Sequence, residues 1–522
     1  MRKSKLTTRL GPLKKGATLI LLSMCITVGD ASAQAPSPGQ SQGTQATALP
    51  LSGRNAQSGS VTATQSSTPG AASTVNTLTP TIQVQGAYSG STAGFSNRPF
   101  SGKLSLREAI ERGLEYNLGA IGLDQAVRQA HGQTRVARSL LLPNLTGDLA
   151  ETVEQIDLAA SGFRFKIPGF AIPSIVGPFN YFDLRARLSQ TVVDLTAWKN
   201  YKSASESLRA DQLSAQDSRD LVVLAVGGAY LEILADKARV QSALAQLDTA
   251  NALYQQASQQ RAAGIVAQVD VDRSQVQALI QQQRVTSLQN DLAKQKINLA
   301  RMTGLPPNDQ YDLSDDVPFS AAPPMTVEEA LRQALDQRSD LKAAVAQVRA
   351  ADLARSGARS ERLPSLAVNA DYGVIGTNPS QSHGTFSVTG TLRFPIWEGG
   401  RTEGNIEQAD ASLTQRRAEL EDLKLQVESE IRKVYLDLRA AASEVEVAQK
   451  NVQVAKETLD LTRQRVEAGV ADSVELVQSQ ESLAGAELDY INSVFAHNVA
   501  KLGLARAMGG AAENLPKVLS AP

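Results

Sequence analysis

Two kinds of hydrophobic repeat alternate along this chain, and the alternation occurs twice. Over roughly 195–263 and again 398–468, apolar residues recur at three- and four-residue steps with almost no Gly or Pro between them. Val445, Ala448, Val452, Ala455, Leu459, Thr462 and Val466 form one stripe. Val240, Ala243, Leu247, Ala250, Tyr254, Ala257 and Arg261 hold the same heptad register 205 residues earlier. A sustained repeat of about 3.5 residues implies coiled-coil packing. At about 1.5 Å per residue each stretch predicts a helix of ~100 Å, longer than a compact globular domain uses. A second stripe at Val447, Val454 and Leu461 gives the later helix another apolar face, which suits a helix flanked on both sides in a closed tube. Return helices are expected over 268–302 and 473–508, the latter striped by Ala484, Leu488, Ile491, Phe495 and Leu502.

Before each long helix the period changes to two. In 365–372 Leu366, Val368, Ala370 and Tyr372 share a face, and in 385–394 Phe386, Val388, Leu392 and Phe394 do. Polar residues take the alternate positions, as in half-exposed strands. The first half shows the same pattern over 145–158 and 181–193. Each strand pair follows a helix that stops at a Leu-Pro step, Leu142-Pro143 or Leu363-Pro364, because proline breaks the helical ladder. The order is duplicated: 104–114 answers 325–335 and 137–145 answers 358–366 at an offset of 221, and 260–270 answers 465–475 at 205. A period that long is a duplicated unit and not a short solenoid repeat. The predicted organisation is a first repeat over 104–303, a second over 304–510 and a tail over 511–522.

The N-terminus changes the charge picture. Residues 1–16 carry Arg2, Lys3, Lys5, Arg9, Lys14 and Lys15 without an acid, followed by an apolar run over 17–28 and Ala31-Ser32-Ala33. That is a signal peptide, too short for a membrane anchor. Cleavage after Ala33 leaves 46 basic against 52 acidic side chains, so the near-neutral total conceals an acidic mature chain. Such a balance argues against a nucleic-acid partner. Cys25 is the single cysteine; Met24 before it is large for a lipidation site, so ordinary cleavage is favoured, leaving no disulfide or cysteine-based metal site. Residues 34–100 form a low-complexity tail, expected to be disordered because Ser, Thr, Gln, Gly and Pro bury too little apolar surface. The G-x-S-x-G match at 39–43 lies in this tail without the strand–turn–helix that the motif needs.

Strands without a transmembrane helix point to the outer membrane. The four period-two segments have about the length that crosses it as tilted strands. Four strands cannot close a barrel, lipid tolerates no open edge, and the smallest such barrels have about eight strands. The chain must therefore oligomerise around a ring, and a trimer would give twelve strands.

The ordered set of "LREAI" and "VEEAL", the two Leu-Pro helix ends, "FPIWEGGR" at 394–401, "AGIVAQVD" and "AGVADSVE" resembles the TolC-type outer-membrane efflux proteins over about 104–510. The resemblance implies a mixed α and β fold: a long coiled-coil α-barrel plus an outer-membrane β-barrel, each closed by a homotrimer, with an equatorial belt from residues around 104–118 and 304–340. It implies a passive exit duct of a tripartite pump or type I secretion system. An inner-membrane transporter supplies energy, a periplasmic adaptor docks on the helix-turn-helix tips, and no cofactor is involved. The tips fall at Gly264, Ile265, Val266 and Ala267, and at Gly469, Val470 and Ala471 with Asp472. By the family's pattern Glu475 and Gln478 take the two acidic gate places and Asp270 the acid after the first tip. Gln478 is uncharged and Ala471 stands where a base would meet Asp270, so the gate is wired differently here; Asp472 could supply compensating charge.

Other classes fit less well. The sequence holds no H-E-x-x-H and no phosphate-binding P-loop. His131, His383 and His497, expected on a helix, a strand-connecting loop and a helix, have no ligand spacing. A periplasmic coiled-coil adaptor or surface structural protein would share the heptads but not the two equivalent halves with paired strands. The cargo is not legible. The loop over 160–180 is apolar enough to cap a barrel mouth, although the sequence gives it no partner.

Overall fold

The computed structural model describes residues 60–69, 76–93, 102–160, 162, 173–307, 311–315, 319–321, 325–468, 470–471 and 473–512. The signal peptide with Cys25, residues 34–59, most of the 160–172 loop and the last ten residues of the C-terminal tail lie outside them.

The chain runs through β1 (Val61–Pro69), β2 (Asn76–Val84), β3 (Lys103–Leu104), α1 (Leu106–Tyr116) and α2 (Leu118–Ser139). There follow β4 (Asn144–Asp157), β5 (Ile175–Val193), α3 (Leu195–Ala262), α4 (Gln268–Thr303), β6 (Asp312–Leu313), α5 (Val327–Gln337) and α6 (Ser339–Ser360). It ends with β7 (Ser365–Gly376), β8 (His383–Arg393), α7 (Arg401–Glu467) and α8 (Ser473–Ala507). The long helices have 68 and 67 residues and their return helices 36 and 35. Caps fix the starts. Asp194 accepts from the Ala197 amide at the head of α3, and Thr326 and Glu329 form a reciprocal capping box at α5.

Four strands form one antiparallel sheet in the order β4-β5-β7-β8, leaving an edge of β4 and an edge of β8 without a partner among the described residues. His383 heads β8 and does not sit in a connecting loop.

The first four positions of the α3 stripe are buried, Val240 8% exposed, Ala243 2%, Leu247 8% and Ala250 3%, whereas Tyr254 and Ala257 are half-buried and Arg261, near the tip, is exposed. Against it pack Val285 and Leu288 of α4. The main core lies at mid-height, where Val222, Val226 and Tyr230 of α3 meet Leu104, Leu299, Val499 and Leu502. A second core joins Ala330 and Ala334 of α5 to Val427, Ile431 and Leu438 of α7.

Within the stretch expected to be a disordered tail, residues 60–69 and 76–93 are folded. β1 and β2 pair from Val61↔Val84 to Pro69↔Asn76, and the hairpin packs on α3 and α8. Its core-facing residues alternate, Val61 and Ala63 with Ile82 and Val84. Ile82 seats where Gly228 has no side chain: a Cβ there would lie 1.9 Å from Ile82 Cδ1. Gln65 Nε2 donates to the Ala496 carbonyl at 2.9 Å. The low-charge composition concealed this short period-two signal.

Buried charge ties the mid-height elements together. Arg338, between α5 and α6, reaches Asp340 at 2.7 Å, Glu430 of α7 at 2.7 Å and the Ala507 carbonyl at 3.2 Å. Burial opposes its charge, but the two carboxylates outweigh that and raise its pKa.

Candidate functional site

The first tip is a tight turn between α3 and α4. Gly264 takes φ +76°, a conformation that a side chain disfavours, and the Ile265 amide donates back to the Gln260 carbonyl at 2.8 Å. The turn leaves Ile265 72% exposed at the apex, with Val266 half-buried and Ala267 starting α4. The second tip repeats this geometry: the Val470 and Ala471 amides both donate to the Arg465 carbonyl, and Val470 is 69% exposed. Gly469 and Asp472 lie outside the described residues. Each tip thus presents one exposed aliphatic side chain.

The acids just beyond the tips are paired within the chain. Glu475, in the first turn of α8, contacts Arg465 on the last turn of α7. Asp270, in the first turn of α4, pairs with Arg273 at 3.7 Å. Arg465 and Glu475 lie five residues either side of Val470, so the hairpin brings them opposite one another. At the equivalent place in the first hairpin stands Gln260, and Asp270 finds its cation on its own helix instead. Neither arginine stands out in the sequence by motif, although the symmetry about Val470 marks Arg465. Gln478 lines an open cleft of about 420 Å³ between α4 and α8, with Val269, Val276, Val474, Val477, Asp272 and Arg273.

The sheet has two chemically distinct faces. Register places Leu145, Leu188, Ala370 and Val388 in one row, Gly147, Ala186, Tyr372 and Phe386 in the next, and Leu149, Leu184, Val374 and Gly384 in a third. Leu145, Leu149, Tyr372, Phe386 and Val388 are 64–77% exposed. The alternate rows run Thr146, Arg187, Asp371, Ser387 and Asp148, Arg185, Gly373, Thr385. On that face Arg185 contacts Asp371 and reaches Asp183 at 3.3 Å, and Arg187 reaches Asp148 at 3.5 Å. Apolar on one side and ionic on the other is the pattern of strands between lipid and a wet lumen. Both tryptophans of the chain are exposed just past strand ends: Trp397, 86% exposed, follows β8, and Trp198, 44% exposed, opens α3 beside Lys199 and Lys202. No helix among the described residues is long and apolar enough to cross a membrane.

Long helical walls continuous with such a sheet define an outer-membrane channel protein. The sequence profile of the family described as "Outer membrane efflux protein" matches residues 123–305 and 330–510, and the chain belongs to this family. It is similar to the "Pyoverdine export outer membrane protein OpmQ" of Pseudomonas aeruginosa, 24% identical over 395 residues, 74% of this chain and 80% of the relative. The "Outer membrane protein OprJ" of the same bacterium is 25% identical over 421 residues, 78% of this chain and 84% of the relative. The fold is that of the Vibrio cholerae outer membrane protein VceC (TM-score 0.67, 20% identity, covering 78% of this chain and 96% of that one). It is also that of the Campylobacter jejuni CmeC outer membrane channel (TM-score 0.69, 14% identity, covering 85% and 98%). The protein is an efflux duct of the outer membrane, and the family's members are transport proteins without catalytic activity.

Proposed function

We propose that the duct is a homotrimer in which each chain supplies four strands of a twelve-stranded barrel and one third of a periplasmic helical tube. The carrying observation is the four-stranded sheet with an apolar face and two open edges, since unpaired edges are not tolerated in lipid. The exposed stripe on α7 supports the same reading lower down: Val447 is 64% exposed, Val454 59% and Leu461 60%, and a neighbouring chain would cover them. The two repeats, 104–303 and 304–510, each contribute one hairpin to the tube.

The tips, Gly264 to Ala267 and Gly469 to Ala471, dock a periplasmic adaptor, with Ile265 and Val470 as the apolar contacts. An inner-membrane transporter supplies the energy. Asp270, Asp472, Glu475 and Gln478 ring the periplasmic entrance, and the Arg465–Glu475 pair holds it by a link that can open. Cysteines placed on β4 and β8 test the assembly, because the only native cysteine, Cys25, lies in the signal peptide. Oxidation of paired positions should yield covalent trimers in outer-membrane fractions. Monomers alone, or links only within one chain, would sink the ring.

A further inference from the structure

Among the grooves on this chain, one carries a charge pattern that the duct function does not use. It has a volume of about 570 Å³ and lies where α3, α5, α6 and α7 of a single protomer converge. Volumes of about 300–1,000 Å³ are usual for small-molecule sites. Its charged lining is Arg209, Lys342, Arg349 and Lys424, with no acid. In a chain with 52 basic and 53 acidic residues, an acid-free lining with four cations is a departure from the local average. Only Lys424 has an ion-pair partner among the described residues, Glu421 at 2.7 Å.

Each long wall sets an aliphatic side chain one turn from a cation: Arg209 and Leu213 on α3, Val345 and Arg349 on α6, Leu420 and Lys424 on α7. Lys342, Val345 and Arg349 share one face of α6. The groove therefore has an apolar floor and a cationic rim. Water solvates such a rim well but wets the floor poorly. A ligand that satisfies both has an apolar chain and an anionic head.

We propose that this groove binds a single-chain anionic amphiphile, its carboxylate or phosphate head held by Arg349, Lys342 and Arg209 and its tail laid along Leu213, Val345 and Leu420. Guanidinium groups suit such heads because they donate two parallel hydrogen bonds. Bound there, the ligand bridges α3, α6 and α7 within one protomer.

The test uses the full chain in phosphatidylcholine nanodiscs and two probes, dodecanoate and dodecyl phosphate, each carrying a diazirine for photolabelling. Neutral dodecyl maltoside competes as a control. Label should map to α6 and α7 around the groove, and the maltoside should not displace it. The Lys342→Glu/Arg349→Glu variant should bind at least tenfold more weakly, while Lys342→Arg/Arg349→Lys retains binding. Both side chains are exposed, so the fold should survive, and circular dichroism with outer-membrane recovery verifies this. Tighter binding of the phosphate assigns a lysophospholipid-type head; tighter binding of the carboxylate assigns a fatty acid. Equal competition by the maltoside, unchanged affinity in the folded charge-reversed variant, or label confined to the exposed α7 stripe would overturn the proposal.

Discussion

Breaking the Arg465–Glu475 pair should loosen the periplasmic end of the duct. The pair joins the last turn of α7 to the first turn of α8, the two helices that meet at the second tip. Its side chains are 52% and 40% exposed, so solvent screens the attraction and one copy contributes about 0.2–1 kcal/mol. In the proposed trimer three copies release together. At ~0.5 kcal/mol each they sum to ~1.5 kcal/mol, roughly tenfold in the ratio of closed to open entrance. Purified protein in planar bilayers at about 0.15 M salt reads this as open probability. Glu475→Gln and Arg465→Gln should each raise it about tenfold, and the swap Arg465→Glu/Glu475→Arg should restore it. At about 1 M salt, where the Debye length shrinks to ~3 Å, wild type and variants should converge. Single variants that gate like wild type, or a swap no better than either single change, would refute the idea that this pair holds the entrance.

Four further outcomes are expected. Gly228→Ala should push Ile82 off α3 at a cost of about 1.5–3 kcal/mol, making amide exchange in β2 roughly ten- to hundred-fold faster; in an Ile82→Ala background the same Gly228→Ala change should cost little more, because the clash goes with the side chain. Arg338→Met leaves Asp340 and Glu430 without their shared cation and should destabilise by about 3–5 kcal/mol, read as a lowered thermal midpoint of the solubilised protein. His497 is fully buried, and burial with Lys501 nearby lowers its pKa to about 4. The unfolded chain therefore takes up a proton below about 6.5 that the folded chain refuses until about 4, so stability falls as pH drops through that window. The His497→Phe variant should show a shallower loss between those pH values, and an identical slope would exclude the assignment. Intrinsic tryptophan fluorescence comes only from Trp198 and Trp397, and lipids brominated near the headgroup should quench it more than lipids brominated at the chain end.

Much of the helical architecture was legible because its signals are long and local. Heptads bounded by tip glycines predicted helices over 195–263 and 398–468, and the structure has Leu195–Ala262 and Arg401–Glu467. Strand starts were harder. β5 begins at Ile175, six residues before the alternation becomes visible, because Ile175, Val176 and the Gly177-Pro178 step interrupt the period-two pattern. The β1–β2 hairpin was hidden for a different reason. Its stabilising partner is Gly228, far along the chain, and a composition average over Ser, Thr and Gln has no knowledge of that vacancy. Near the tips, the family resemblance pointed to Glu475 and Asp270 but not to their cations. Arg465 becomes legible only when the hairpin is folded about Val470, and Arg273 only when α4 is drawn as a helix that sets it three residues after Asp270.

The open sheet edges and the exposed helix stripes make one demand at two heights. α7 follows β8 and α2 leads into β4, so a neighbour that pairs its β4 with this chain's β8 brings its own helices beside α7. Near the tip the depths agree as well. Leu461 and Val454 lie 6 and 13 residues before the end of α7, while on α4 the exposed Val269, Val276 and Ile280 lie 1, 8 and 12 residues after its start. At about 1.5 Å per residue Val276 and Ile280 lie within about 3 Å of the levels of Leu461 and Val454 on helices that run antiparallel, and Val269 sits nearer the tip. A neighbour's α4 stripe can therefore meet the α7 stripe in the assembly whose strands close the sheet. At mid-height the hairpin, α1 and α5 cover much of the helices within one chain, although Leu425 and Leu436 of α7 stay 68% and 66% exposed. The proposed lateral association would therefore close the sheet at the membrane and cover the apolar stripes near the tips, the two places where such a duct must be sealed or opened.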